Sequence, residues 1–237
     1  MAFINFASLV LFENENYIVI NKPPHLATLD DRGENTNILL LAKNYFTEAQ
    51  VCHRLDKETS GALLIAKNAA AYRHAAMQFE AREVQKIYHA ILGSPIKFDQ
   101  LVVDLPIKQT STGTVKIDKK DGKKALSVFT TIKLFKHYAL MQCEIYTGRM
   151  HQIRIHLASQ NASIASDVTY KGKMPLLSEI KKKFKNSDDI EKPMIHRVAL
   201  HAFSLRFRDL DTTEISIEAP YPNDFEVFLK VLEKYDS

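Results

Sequence analysis

The sequence predicts an α+β fold with a largely antiparallel sheet, and three observations support this. Apolar runs typical of strands outnumber helical patterns, several strands follow directly on one another, and only two segments have clear helical periodicity. Such a succession of strands favours antiparallel pairing within one layer. We therefore expect a largely antiparallel mixed sheet that is flanked by helices and loops.

The predicted strands are short and lie in both halves of the chain. Four of them are residues 16–21 (NYIVIN), ended by the prolines at 23 and 24, residues 62–67 (ALLIAK), residues 84–92 (VQKIYHAIL) and residues 214–218. Residues 125–146 predict two longer strands that turn near Lys136 and His137. Alternation along residues 84–92 places Lys86 and Tyr88 on one face of their strand.

Two helices and one loop complete the prediction. Residues 68–82 are rich in Ala and carry apolar side chains at spacings of three and four, which indicates a helix. Residues 223–235 predict an amphipathic helix with an apolar stripe, and Asn223 with Glu226 resembles a capping box. The polar, Lys-rich segment 171–193 is typical of an insertion or mobile loop, with room for a short helix.

Charge is distributed unevenly along a chain whose formal net charge is only +4. Residues 105–185 hold 16 Lys/Arg against 5 Asp/Glu, a balance of +11, and the rest of the chain carries −7. The excess lies in two groups: Lys116, Lys119, Lys120, Lys123 and Lys124, then Lys171, Lys173, Lys181, Lys182, Lys183 and Lys185. Such groups favour a polyanionic partner, and a solubilising surface is the alternative, which lysine runs alone would favour.

Several classes of protein are excluded or disfavoured by pattern. The chain has 46% hydrophobic and 25% charged residues among 237, which is typical of a folded protein of one large or two small domains. No phosphate-binding glycine loop, CxxC pair or HExxH motif occurs. The spacing of His151 and His156 disfavours a shared metal ion. With Cys52 and Cys143 as its two cysteines, and no apolar run long enough for a membrane span, we expect a cytoplasmic protein with reduced thiols.

Two polar segments next to apolar runs are the candidate functional site. One is residues 52–61 (CHRLDKETSG) and the other is residues 147–157 (TGRMHQIRIHL). Burial of Asp56 beside apolar strands costs several kcal/mol unless a cation pairs with it, and Arg149 and Arg154 are candidate partners. A carboxylate held ionised in this way suits a nucleophile or a base, and a purely structural ion pair is the alternative.

These segments resemble motifs of the RluA-type pseudouridine synthases, which isomerise uridine in ribosomal or transfer RNA. The matching segments, in the order of the family, are NYIVINKPPHLAT (16–28), HRLDKETSGALLIAK (53–67), KIYHAILG (86–93), TGRMHQIRIHLA (147–158) and RVALHAFSLRF (197–207). The pairing of HRLDxxTSG with TGRxHQIR is highly specific. The resemblance implies the catalytic fold of that family and one catalytic domain over residues 1–237.

The resemblance also implies roles for individual residues. Asp56 would be the catalytic aspartate, which either attacks C1′ of the target ribose or removes its 2′ proton. Tyr88 would stack on the uracil and help to remove its C5 proton, with a plain core aromatic as the alternative. Arg154 would pair with Asp56. Arg54 would fill the gap left by the flipped nucleotide, with a plain phosphate contact as the alternative. Further candidates for contacts with substrate are His53, Lys86, Arg149, His151 and Gln152. The lysines expected on the RNA backbone are Lys116, Lys119, Lys120, Lys123, Lys124, Lys181, Lys182 and Lys183.

Some features depart from the family pattern. The segment IxGDxxYG of the family is replaced here by residues 164–172 (IASDVTYKG), in which Ser166 stands for the first Gly and a Lys precedes the last. Arg208 and Asp209 stand where the family often has HP. The opening motif leaves no room for the N-terminal S4-type domain of many relatives, so we expect the short form. We also expect a monomer. No metal or other cofactor is expected, because the isomerisation exchanges no electrons or groups with solvent.

Two rival functions stay open at this point. A glycosidase acting on nucleic acid would need a second carboxylate as acid, and Glu58 is the one near Asp56 in sequence. A catalytically silent RNA-binding protein would be favoured by replacement of Asp56, Tyr88 or Arg154, all of which are intact.

Overall fold

A computed structural model describes residues 4–30, 36–181, 184 and 190–237. The elements in chain order are β1 (Val10–Glu13), β2 (Tyr17–Lys22), α1 (Ile38–Tyr45), β3 (Gln50–Val51), β4 (Ser60–Ala66), α2 (Ala69–Ala81), β5 (Gln85–Leu92), β6 (Leu101–Asp104), β7 (Ile107–Gln109), β8 (Val115–Ile117), β9 (Leu126–Leu134), β10 (Ala139–Ile145), α3 (Gln152–Ser159), α4 (Leu177–Ile180), β11 (Leu200–Arg208), β12 (Glu214–Glu218) and α5 (Asn223–Tyr235). Short 3-10 turns lie at Phe6–Leu9 and Val168–Tyr170. The chain divides into two compact units, Met1–Ile87 with His201–Pro220, and Tyr88–Leu200 with Tyr221–Ser237.

The first unit is built on strands β1, β2, β4 and β11, in that order, with β3 paired to β4 and β12 to β11. All of these pairs are antiparallel except β4 with β11, which is parallel. Helix α2 packs Ala71 and Ala75 onto Tyr17 and Leu64 of the sheet. Its first turn is closed by Asn68, whose side chain accepts a hydrogen bond from the Ala71 N–H.

The second unit carries strands in the order β5, β10, β9 and β6, in which β9 pairs antiparallel with both β10 and β6. A separate antiparallel hairpin joins β7 and β8. The hairpin buries Ile107 and Val115 in a small core with Tyr170, and Ile155 of α3 packs against that core. Helix α5 buries Phe225, Phe228 and Leu232.

These elements confirm the largely antiparallel α+β class and most of the predicted segments. The two strands predicted within residues 125–146 turn at Lys136 and His137, and α4 lies in the Lys-rich segment. The capping box was wrong: Asn223 is the first helical residue, Pro222 precedes it as the cap, and no side chain closes the first turn. Lys182 and Lys183 lie outside the described residues.

Candidate active site

Asp56 lies in the loop that precedes β4, where it is half-buried. The loop is a tight turn, because the Thr59 N–H donates to the carbonyl oxygen of Asp56 at 3.0 Å. The residue before Asp56 is held by Thr28, whose hydroxyl donates to the Leu55 carbonyl at 2.9 Å and accepts from the Leu55 N–H at 3.2 Å. The backbone on this side of Asp56 is therefore fixed by a single side chain.

The residue after Asp56 is held by a buried lysine at the end of β2. The ammonium group of Lys22 donates to the Lys57 carbonyl at 3.2 Å and to the carbonyls of Pro23 and Leu26 at 2.9 and 2.8 Å. Three carbonyl dipoles compensate in part for the cost of burying this charge. Two residues of the opening segment thus hold the Asp56 loop on both sides.

His53 and Lys86 share the ring of Phe79. The His53 ring lies 5.0 Å from the Phe79 ring, and the Lys86 amine lies 5.5 Å from the Phe79 centroid. Burial, with a smaller contribution from the charge of Lys86, lowers the pKa of His53 to about 3. Nε2 of His53 lies 3.1 Å from the Leu64 nitrogen, whose N–H it accepts, so the neutral ring carries its proton on Nδ1.

Lys86 is almost completely buried, and desolvation lowers its pKa to about 8. Its amine therefore loses its proton more easily than an ordinary exposed lysine. Arg54, by contrast, is exposed on the same segment as His53.

In the second unit, Arg154 is paired with Asp167. Nε and Nη2 of Arg154 donate to the two carboxylate oxygens of Asp167, each at 2.8 Å. Both residues are buried, with 7% and 1% of their surfaces exposed. This two-bonded geometry fixes the plane of the guanidinium, whereas the pairing of Arg154 with Asp56 stays a prediction.

Tyr170 connects Arg154 to the start of helix α3 and to the β7–β8 hairpin. The guanidinium carbon of Arg154 lies 5.0 Å from the Tyr170 ring centroid, a cation–π contact. The Tyr170 hydroxyl accepts the Val115 N–H at 3.1 Å and forms a hydrogen bond with Nδ1 of His151 at 2.9 Å. His151 begins α3 with a left-handed backbone, φ 52°, an uncommon conformation for a residue other than glycine.

Gln152 has a structural task in the same motif. Its amide nitrogen donates to the Leu126 carbonyl and the Ser127 hydroxyl, and its oxygen accepts from Thr147 and from the Arg149 N–H. Its two N–H donors and both acceptor positions are therefore used inside the protein. The Gln152 side chain therefore holds the turn before α3.

The remaining predicted residues differ in exposure. Tyr88 of β5 is 8% exposed, whereas Arg149 is exposed and donates from Nε to the Lys124 carbonyl. The lysines exposed on and after β8 are Lys116, Lys119, Lys120, Lys123 and Lys124. Lys116 forms an ion pair with Asp118 at 3.1 Å, and Lys181 lies over the Tyr235 ring. Among the described residues, no group of three or more His, Cys, Asp or Glu side chains could hold a metal ion.

The sequence analysis gave no role to four residues that hold either the Asp56 loop or the Arg154 side chain. They are Lys22, Thr28, Asp167 and Tyr170. All four lie in segments compared with the family motifs, the first two in residues 16–28 and the others in residues 164–172. The signal that could have found these residues is a polar residue inside a motif that is expected to be buried, because a buried polar group needs a hydrogen-bonding partner.

Residues 16–159 match the RNA pseudouridylate synthase family. The chain belongs to this family. The matched range contains the Asp56 loop, β5 with Tyr88 and all of α3, so it includes every residue expected to act in catalysis. Among individual proteins, ribosomal large subunit pseudouridine synthase D of Neisseria meningitidis serogroup B is 32% identical over 94% of this chain. Ribosomal large subunit pseudouridine synthase C of Buchnera aphidicola is 31% identical over 97% of this chain.

The likeness also extends to structure. The chain spans 60% of the length of the Neisseria relative and 72% of the Buchnera relative. Human RNA pseudouridylate synthase domain containing 1 has 25% identity and a TM-score of 0.68, over 90% of this chain and 83% of that one. Human RNA pseudouridylate synthase domain containing 4, at 22% identity, shares the fold with a TM-score of 0.73 over 96% and 94%. The pseudouridine synthase fold expected from the motifs is confirmed.

Proposed function

We propose that this protein converts specific uridines of structured RNA, ribosomal or transfer RNA, to pseudouridine. The C1′–N1 bond breaks, the uracil rotates, C1′ bonds to C5, and the proton of C5 leaves while N1 gains one. The observation that carries the proposal is the placement of Asp56, the single carboxylate of the HRLD motif, in a loop whose backbone is held on both sides. Membership of the RNA pseudouridylate synthase family supports it.

The proposed catalytic residues have distinct tasks. Asp56 acts on the ribose, as a nucleophile at C1′ or as a base at the 2′ carbon. Tyr88 stacks on the uracil and is placed by its strand. Arg154 supplies a positive charge that pairs with the Asp56 carboxylate, and Asp167 fixes the orientation of the guanidinium.

The proposed contacts with RNA surround these groups. Arg54 is exposed, as a residue that takes the place of a flipped nucleotide must be. Arg149 and His151 contact the RNA backbone from the turn before α3. His53 supports the HRLD segment as a neutral ring. Burial disfavours the positive charge of Lys86 in the free protein, and the negative charge of bound RNA stabilises it.

Exposed lysines are proposed to hold the RNA backbone. Lys119, Lys120, Lys123 and Lys124 offer charge without a fixed geometry, which is sufficient for phosphates. Lys116 and Lys181 belong to the same proposed track, and Lys182 and Lys183 extend it by sequence alone.

The setting of the protein is part of the proposal. We place it in the cytoplasm as a monomer whose residues 1–237 form one catalytic domain, with an insertion at about 171–193. In the described part of the chain, no helix has the length and apolar character needed to cross a membrane.

One assay separates this function from its two rivals. RNA labelled with tritium at C5 of uridine is incubated with the protein, and released tritium and free uracil are both measured. An isomerase releases tritium without uracil, a glycosidase releases uracil, and a silent RNA-binding protein releases neither. Glu58, the candidate acid of a glycosidase, is half-buried. Its Oε1 lies 3.2 Å from Nδ1 of His25.

Replacement of Asp56 tests the catalytic assignment. We expect Asp56→Asn to lower the rate of tritium release at least about a thousandfold, because the neutral amide can neither attack nor accept the proton. RNA affinity and thermal stability stay close to those of the parent protein. Asp99→Asn, at an exposed position, is the matched control and keeps full activity. Turnover of Asp56→Asn within tenfold of the parent would contradict the assignment.

A further inference from the structure

The hydroxyl of Thr28 has an unusual set of partners. It binds both backbone polar groups of one residue, the carbonyl of Leu55 at 2.9 Å and the N–H of Leu55 at 3.2 Å. Thr28 is 3% exposed and Leu55 is 6% exposed, so water has little access to either group. A buried N–H or carbonyl needs a partner, and here one hydroxyl supplies both.

Thr28 is itself anchored to a regular element. Its carbonyl accepts the Leu39 N–H at 3.1 Å, and the carbonyl of Ala27 accepts the Ile38 N–H at 2.9 Å. These are amides of the first turn of α1, which otherwise lack partners within the helix. The hydroxyl therefore connects the start of a helix to the residue that precedes Asp56.

The Leu55 backbone determines the direction in which the Asp56 side chain leaves the loop. A change of ψ at Leu55 would move the Asp56 Cβ, and it would also turn the Leu55 carbonyl away from the Thr28 hydroxyl. On the other side, the Lys22 ammonium holds the Lys57 carbonyl. A carboxylate that must meet one ribose carbon needs its backbone fixed in this way, since a displacement of about 1 Å can cost about a hundredfold in rate.

We infer that Thr28 is a positioning residue of the reaction, which sets the Asp56 carboxylate through the backbone of Leu55. This inference rests on the proposed function, because it requires Asp56 to be the catalytic aspartate. It extends the site beyond the groups that contact RNA, to a side chain in the segment before α1.

The test compares Thr28→Val with Thr28→Ser. Valine keeps the shape of threonine without its hydroxyl, and serine keeps the hydroxyl without the methyl group. We expect the single-turnover rate at saturating enzyme to fall at least about tenfold in Thr28→Val and to stay within about threefold in Thr28→Ser. The dissociation constant for the same tritium-labelled RNA stays within about twofold of the parent value in both variants.

A merely structural role would give another pattern. Equal rates per folded molecule in Thr28→Val and the parent protein, at a temperature well below both melting transitions, would overturn the inference. If Thr28→Val does not fold, Thr28→Cys replaces it, since a thiol is similar in size and a weaker hydrogen-bonding group. A parental rate in Thr28→Cys would then overturn the inference, and an intermediate rate is expected.

Asp56→Asn separates this inference from the proposed function. An inactive Asp56→Asn together with a fully active Thr28→Val rejects only the positioning role. An active Asp56→Asn rejects the catalytic assignment itself, and the positioning role fails with it.

Discussion

Arg154 is a buried charged residue that is paired with a residue of opposite charge. Arg154 and Asp167 are both buried, and two hydrogen bonds join their opposite charges, which offsets part of the cost of burying them. The sequence alone indicated that a buried arginine or aspartate needs an opposite charge. It could not indicate that the partner of Arg154 is Asp167, which lies outside the two candidate segments, because that choice depends on how α3 packs.

Removal of one partner of this pair has a predictable cost. We expect Arg154→Ala to lower the free energy of unfolding by about 3–5 kcal/mol, because it leaves the Asp167 carboxylate buried and unpaired. Urea denaturation measures this loss. Asp167→Asn destabilises the protein in the same direction, and both variants lose most of their activity because the guanidinium is lost or misoriented.

Arg149→Ala is the stability control for this pair. Arg149 lies in the same motif as Arg154, but it is exposed and its Nε donates to the Lys124 carbonyl. We therefore expect the free energy of unfolding to fall by less than about 1 kcal/mol. Equal losses in Arg149→Ala and Arg154→Ala would show that the ion pair with Asp167 contributes nothing particular to stability.

Helices and strands could be predicted from the sequence where their apolar residues form one face or a short continuous run. α2, β12 and α5 have buried apolar positions at the period of a strand or a helix, and β2 is a continuous buried run. The bounds of all four elements lie within two residues of the predicted ones. Helix α3 was not predicted, because its buried positions include Gln152, Arg154 and His156, which are held by hydrogen bonds. Helix α1 was also missed, since consecutive apolar residues hide its period.

The loop of residues 164–172 departs from the family pattern, and its backbone shows the consequences. Ser166, which replaces a glycine of the family, has φ 63°, and its hydroxyl donates to the Ile195 carbonyl at 2.7 Å. Lys171, the inserted residue, is also left-handed. The last glycine is kept at 172, where a Cβ would lie 2.1 Å from the Ile164 carbonyl oxygen.

Gly172→Ala tests this loop. We expect a loss of about 3 kcal/mol in the free energy of unfolding, because the neighbouring atoms of Ile164 and Asp167 belong to the backbone and cannot move independently. Displacement of Asp167 also lowers the activity that remains in the folded fraction. Gly93→Ala is the matched control, since its Cβ would approach nothing closer than 3.9 Å. A similar loss in both variants would contradict the packing argument.

Across the whole molecule, the motifs and their spacing predicted the family but not the side-chain contacts that hold the candidate site. They indicated the family, which depends on residue type and order and is confirmed, whereas the role of Asp56 stays a prediction. The hydrogen bonds of Thr28 and Lys22 to the Asp56 loop could not be derived, because residues 22–28 and 55–57 approach each other only through the pairing of β2 with β4.

The charge asymmetry of the chain gives a further prediction. Residues 105–185 carry +11 and the remainder −7, and the exposed lysines after β8 concentrate part of this excess. Lys116 is partly neutralised by Asp118, so Lys119, Lys120 and Lys123 offer the better targets. Phosphate contacts of this kind release counterions, and the salt dependence of binding reports their number.

We expect reversal of these three lysines to glutamate to weaken RNA binding at moderate salt. The slope of log affinity against log salt concentration becomes shallower by about 2 to 3, or about 0.7–0.9 for each lost phosphate contact. The rate at saturating RNA stays nearly unchanged, because no catalytic group is altered. Reversal of Lys43, Lys97 and Lys136, which are also exposed, makes the same change in net charge and controls for long-range attraction. If both triple variants lose affinity equally, the protein attracts RNA through its total charge, and the lysines after β8 form no track for the backbone.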